Sequence, residues 1–275
     1  MKLKSLLYLS WLLVSASAAL AQNSLTAEEK KAGWKLLFDG KTMRGWKDPS
    51  KLSPPANAWT IEDGCLKAVG KPQYREDLVS VQTFADFELQ FEWKMSVGGN
   101  SGLKYRIQEF VPLSGDDIKK AKKFEDALNG AMKTGKPPTR ASAMKGGESQ
   151  TYVIGFEYQT IDDDKHPDAR RGALYQSGSL YSMIPRIKQA AKPIGEFNQS
   201  RLVVKGNHIE HWLNGEKVID ASLDDPAIGA GLEKRWGKSS AVYQMLTKQP
   251  KKKCPISLQH HNDAAWFRNI KIRAI

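Results

Sequence analysis

Strict alternation is the plainest pattern in this chain. Over residues 87–95 the odd positions are Phe87, Leu89, Phe91, Trp93 and Met95, and the even ones are Glu88, Gln90, Glu92 and Lys94. Successive side chains of an extended backbone point to opposite faces, so the segment predicts a half-buried β-strand with one core face. The Gly-rich stretch 97–102 reads as a turn and 103–108 as the next strand, so the two runs are expected to pair antiparallel. Residues 201–219 give three short strands separated by Gly206-Asn207 and Asn214-Gly215. Asn-Gly between strand residues predicts a tight hairpin, because both central positions of a type I′ turn need positive φ. A last strand is expected at 266–273, where Arg268 shares a face with Trp266 and Ile270 and breaks the pattern.

Two stretches depart from this period. In 116–133, Ile118, Ala121, Phe124, Leu128 and Met132 recur every three or four residues and predict an amphipathic helix, closed by Gly135-Lys136-Pro137-Pro138. The basic stretch 231–253 is expected to hold another short helix. Both lie between strands, near 111–150 and 224–253, and read as insertions rather than domains. Many short strands without βαβ alternation predict an all-β fold, a two-sheet antiparallel β-sandwich with short helical insertions.

The N-terminus adds a location. Lys2 and Lys4 precede an apolar run from 6 to 20, and Ala19-Leu20-Ala21 fits a small-x-small cleavage site. This predicts a signal peptide over 1–21 and an exported, periplasmic or secreted single domain over 22–275. The formal charge is +12. Much of the excess sits in lysines 119, 120, 122, 123 and 251–253, which read as solvated insertion surface, so no nucleic-acid partner is expected. No later apolar run reaches the ~20 residues of a spanning helix. Cys65 and Cys254 are either a disulfide or two buried thiols.

Candidate chemistry is densest over residues 155–169. Glu157 and Gln159 share one strand face, and an acidic loop leads on to His166-Pro167-Asp168. Carboxylates beside an imidazole build a metal site or an acid–base pair, although an Asp-rich strand end is common without either. A second cluster is Gln259-His260-His261-Asn262-Asp263, whose adjacent histidines face opposite ways, so one at most enters a cleft. His208 and His211, at odd spacing, face opposite sides and make a poor metal pair. In a third cluster, after Asn100, Lys104 and Arg106 share a face and Leu103 and Tyr105 the other. Trp46 and Trp59 are candidates for sugar stacking, Trp59 more readily as core. The segment carries no Glu-x-Asp-x-x-Glu pattern, which weakens a two-carboxylate, laminarinase-type glycosidase.

Taken in order, the motifs GWKLLFDGKTMRGW (33–46), FEL (87–89) with GNSG (99–102), EYQ (157–159) with HPD (166–168), GEFN (195–198), HIEHWLNG (208–215) and WFRNI (266–270) resemble the 3-keto-disaccharide hydrolase family. The two insertions match least well. The resemblance implies a concanavalin-like jelly roll and cleavage, by hydrolysis or 1,2-elimination, of glycosides already oxidised to a ketone at carbon 3. A carbonyl at carbon 3 acidifies the proton on carbon 2, so a base can form an enolate from which the group on carbon 1 departs. On this reading His166 is the expected base. Lys104 stabilises the enolate, Glu157 binds metal or orients the sugar, and His260 serves as acid or ligand. Asn100, Tyr105, Arg106, Gln159, Tyr175, Gln259 and Trp46 are expected to contact the sugar, and Glu157 and His166 to hold one divalent ion. A non-catalytic carbohydrate-binding module and a structural or adhesive sandwich are the other readings.

Overall fold

The computed structural model describes residues 22–72, 74–133, 149–248 and 250–275. The expected signal peptide and residues 134–148 lie outside the described residues. Among the described residues, no helix is long and apolar enough to cross a membrane.

The strands are β1 (Lys35–Leu36), β2 (Trp46–Lys47), β3 (Trp59–Glu62), β4 (Cys65–Ala68), β5 (Arg75–Glu76), β6 (Leu78–Ser80), β7 (Phe87–Met95), β8 (Asn100–Leu113), β9 (Gln150–Ile161), β10 (Asn198–Lys205), β11 (His208–Leu213), β12 (Glu216–Ser222), β13 (Ser257–Leu258) and β14 (Ala265–Ala274). An eight-stranded sheet runs β12-β11-β10-β7-β14-β4-β3, with β1 beside β14, and a six-stranded sheet runs β2-β6-β13-β8-β9-β5. Among the described residues every strand pairing is antiparallel except that of β5 with β9. The expected sandwich forms, and the meander β10-β11-β12 forms with Asn214 and Gly215 both at positive φ.

One expected pairing does not form. β7 lies in the eight-stranded sheet between β10 and β14, whereas β8 begins at Asn100 in the other sheet, between β13 and β9. The Gly98-Gly99 turn therefore crosses between layers. The alternation of β7 was sound, and Phe87, Leu89, Phe91, Trp93 and Met95 all enter the core. They meet Leu103, Tyr105, Phe156 and Tyr158 of the opposing sheet. Polar atoms trapped between the layers are paired, as burial demands. Trp93 Nε1 donates to Ser200 Oγ (2.9 Å), Ser200 to Tyr158 Oη (2.9 Å), and Tyr158 to the Trp212 carbonyl (2.9 Å).

Two bulges re-aim side chains. In β14 the register slips between Arg268 and Lys271, with Asn269 at φ 50°, so Trp266 and Arg268 stay outside while Ile270 returns to the core. In β8 it slips between Tyr105 and Glu109, with Arg106 at φ 50°.

Among the described residues, each insertion shows two helices where one was expected. The first is α2 (Gly115–Lys120) and α3 (Phe124–Lys133), following α1 (Ala27–Lys31) near the N-terminus. Lys119, Lys120, Lys122 and Lys123 crowd like charges onto successive turns, and the chain is extended at Ala121. The second insertion gives α4 (Pro226–Trp236) and α5 (Ala241–Thr247). Phe124, Tyr152 and Trp236 join the helices to β9 with ring centroids 4.9 Å (Phe124–Tyr152) and 5.9 Å (Tyr152–Trp236) apart. Cys65 and Cys254 are buried free thiols.

Candidate active site

The site follows from alternation on β8 and β9. Leu103, Tyr105, Phe156 and Tyr158 point into the core, so Lys104 and Glu157, opposite each other in register, point to the other face of the six-stranded sheet. Ser257 of β13 lies opposite Lys104 on its other side. Gly102 and Gln159 form the next row. A pocket of about 350 Å³ lies over this face, with Lys104, Glu157, Asp77 and Gln259 among its walls and Tyr152, Tyr181 and Arg235 around them. A larger cavity of about 690 Å³ opens on the eight-stranded sheet among Gln90, Glu92, Arg201, Trp212 and Arg268, away from this cluster.

Lys104 is 2% exposed. Its ammonium lies 3.5 Å from Asp77 Oδ2 and 4.5 Å from the Tyr152 ring centroid. Burial works against its charge, but Asp77, Tyr152 and Glu157 outweigh burial and hold its pKa above the ordinary lysine value, so it is a cation. Asp77 is itself fixed, accepting from the His260 backbone N–H (2.9 Å) and Ser257 Oγ (3.2 Å). Among the described residues Glu157 receives one hydrogen bond, from Gln259 Nε2 to Oε2 (3.2 Å). Burial pushes its pKa up, against the opposing pull of Lys104 and Arg235. A buried cation thus sits beside a carboxyl group that is easily protonated, an arrangement suited to moving a proton next to a developing negative charge.

Arg235, from the end of α4, reaches the pocket across the ring of Tyr181 (4.9 Å) and pairs through Nε with Glu125 of α3 (3.2 Å). Tyr181 donates to Asp168 Oδ2 (2.9 Å), which also pairs with Arg171. Asp77, Arg235 and Tyr181 were not expected from the sequence. They come from a strand end, an insertion and a loop that carry no motif.

Of the expected residues, Lys104, Glu157, Asn100 and Gln259 line this pocket. Asn100 Oδ1 and Gln259 Oε1 have no partner among the described residues. Gln159 faces the same side but is fully buried and outside the lining. The other assignments change. Tyr105 is core, its hydroxyl donating to His211 Nε2 (3.1 Å). Arg106, turned by the bulge, binds the Gly206 carbonyl (2.6 Å) and the Lys252 carbonyl, so it does not share the Lys104 face. Trp46 is 2% exposed and donates to the Leu37 carbonyl (2.6 Å), which leaves no stacking platform. Tyr175 lies outside the pocket, stacked under Arg171 at 3.8 Å.

The histidines are reassigned as well. His260 is at the pocket wall, but Nε2 donates to the Val69 carbonyl (2.9 Å) and Nδ1 accepts from the Asn262 N–H (3.2 Å), so neither nitrogen is left for chemistry. Its neighbour His261 is the ring that enters the pocket with both nitrogens uncommitted among the described residues. Burial holds its pKa down to about 4, so it is neutral at ordinary pH. His166 accepts at Nδ1 from the Asp168 N–H (3.1 Å), which puts the neutral ring's proton on Nε2 and makes it a donor rather than the expected base. His166, His261 and Asp263 present ligand atoms within 4.8 Å of one another. Glu157 is not in that group, and the carboxylate that joins the two imidazoles is Asp263.

A family model described as the 3-keto-alpha-glucoside-1,2-lyase-like domain matches residues 33–273. A protein of Bacteroides thetaiotaomicron named 3-keto-disaccharide hydrolase is 32% identical over 282 residues, covering 94% of this chain and 83% of that one. A crystal structure of a candidate glycosyl hydrolase from Parabacteroides distasonis superposes with a TM-score of 0.67 at 27% identity, covering 92% of this chain and 99% of the other. A second from the same organism, at 22% identity and TM-score 0.56, covers 88% and 99% and supports the fold.

Proposed function

We propose, from the premise that this chain belongs to the 3-keto-alpha-glucoside-1,2-lyase-like family, that it is an exported enzyme that cleaves 3-keto-glycosides by elimination followed by hydration. The observation that carries the reading is the facing pair Lys104 and Glu157, buried on the sheet face turned away from the core. An adhesive or structural sandwich has no use for a buried lysine, its Asp77 partner and a second buried carboxyl group there, since desolvating such groups is costly. A stacking module would offer a flat aromatic platform, and Trp46 and Trp59 are both buried.

In this mechanism ionised Glu157 removes the proton from carbon 2. The electron pair moves to the carbon 3 oxygen as an enolate, against the ammonium of Lys104 and the guanidinium of Arg235. Such preorganised charge is typically worth on the order of 10²–10³ in rate per donor. The enolate re-forms the carbonyl, makes the carbon 1–carbon 2 double bond and expels the carbon 1 oxygen. The neutral carboxyl group of Glu157, which burial favours, supplies the proton that the departing oxygen needs. Water then adds across the double bond, so the net outcome is hydrolysis.

The same reading includes one divalent ion, held by His166, His261 and Asp263. Two imidazoles and a carboxylate suit a divalent transition metal. His261 is neutral and uncommitted among the described residues, as a ligand must be. His166 would bind through Nε2 by shifting its proton to Nδ1 and releasing the Asp168 N–H. A bound ion there would add positive charge beside the site.

The test is incubation with an ordinary disaccharide and with its 3-keto form. Cleavage of the keto form alone is expected. Binding of both without turnover supports a carbohydrate-binding module, and cleavage of the ordinary sugar supports a conventional glycosidase.

A further inference from the structure

The two insertions meet over the site. Ile118, Phe124 and Glu125 of the first line the pocket, and so does Arg235 of the second. They are tied to each other directly. Arg235 Nε binds Glu125 Oε1 (3.2 Å), Asn129 Nδ2 donates to the Trp236 carbonyl (3.2 Å), and the Phe124 and Trp236 rings are 6.5 Å apart. Leu128, Leu232, Trp236 and Leu246 are buried in the same core cluster as Ile154 of β9. The helices therefore pack down on the half of this sheet face nearest Tyr152 and Ile154, and they confine the pocket to the half that holds Lys104 and Glu157.

A groove across a bare sheet lets a polymer lie along it, with sugar units on both sides of the reacting one. Here one side is filled by α3 and α4. The pocket's volume of about 350 Å³ is at the small end of ligand sites, which span roughly 300–1,000 Å³. We infer that the pocket takes a single terminal 3-keto-glycosyl unit, bearing no further sugar on its own ring, with its carbon 1 substituent directed away from the roof. Arg235 and Glu125 then act as specificity residues. Their side chains, polar and facing the pocket, meet the ring hydroxyls of a terminal unit, and they stand where the next sugar of an internal unit would have to go.

The inference rests on the 3-keto reading, and the experiment separates the two. Two trisaccharides of the same linkage are prepared, one oxidised at carbon 3 of the non-reducing terminal unit and the other at carbon 3 of the central unit. A 3-keto-disaccharide is run beside them. The expected result is that the terminal ketone is cleaved at a kcat/KM near that of the disaccharide, and the central ketone at least about 100-fold more slowly, as for a substrate excluded by pocket shape. Glu125→Ala and Phe124→Ala, each confirmed folded by its melting curve, are expected to narrow that ratio. Cleavage of both trisaccharides within about tenfold overturns the inference and leaves the 3-keto reading intact. Cleavage of none of the three overturns both.

Discussion

Gly102 leaves the space that the Glu157 carboxylate occupies. A Cβ on residue 102 would lie 2.7 Å from Glu157 Oε1 and 2.9 Å from its Cγ. The two residues are on neighbouring strands, and the missing side chain on β8 lets the acid of β9 lean across beside Lys104.

Gly102→Ala is therefore expected to move the carboxylate without unfolding the strand. A misplacement of this size costs on the order of 10²-fold in kcat. The loss should appear in kcat on a 3-keto-disaccharide, with a change in melting temperature no larger than an ordinary core substitution gives.

Glu157→Gln tests the pH linkage of the buried acid. Its folded-state pKa is raised, chiefly by burial, so its contribution to stability is fully present below the unfolded pKa and is lost as pH rises through the folded value. The Gln variant should abolish turnover, melt higher than the parent at pH 8, and lose that advantage in acid below the ordinary glutamate range. Thermal melts of both proteins across that range check the sign.

His211 gives the opposite dependence. It is buried between the sheets, accepting from Tyr105 and donating from Nδ1 to the Gly178 carbonyl (3.0 Å), and its pKa is lowered by burial from 6.5 to about 4. The unfolded chain binds the proton first, so stability falls as pH drops from about 6.5 to about 4, by on the order of 3 kcal/mol. His211→Asn should be less stable at pH 7, and its denaturation midpoint should be flatter across that window.

The metal assignment is checked by binding alone. Titration with zinc or manganese in a calorimeter should give one site in the parent protein and in Glu157→Gln, and none in His261→Ala or Asp263→Ala. Equal binding in all four would remove the assignment.

The parts of this fold that obey a simple period were legible in the sequence. The strand 87–95, the Asn214-Gly215 hairpin and the face shared by Glu157 and Gln159 follow from alternation and turn chemistry. Two kinds of feature were not. Bulges reset parity without a local signal, so Lys104 and Arg106, two residues apart, part company at a non-glycine residue with positive φ. The site also draws on distant segments: Asp77 before β6, Tyr181 in a loop and Arg235 in an insertion. Adjacent His260 and His261 could be told to face opposite ways. Which one faced the pocket depended on Val69 and Asn262 engaging the ring of His260.

The claim that Glu157 removes the carbon 2 proton is tested most directly by cleavage of a 3-keto-disaccharide in D2O. The product is read by NMR at times short enough to correct for spontaneous exchange. Elimination and hydration predict one deuterium at carbon 2 of the released 3-keto-sugar, and no product with Glu157→Gln. Product that keeps its original hydrogen at carbon 2 would mean that the bond is cleaved by direct substitution at carbon 1, and would contradict the mechanism.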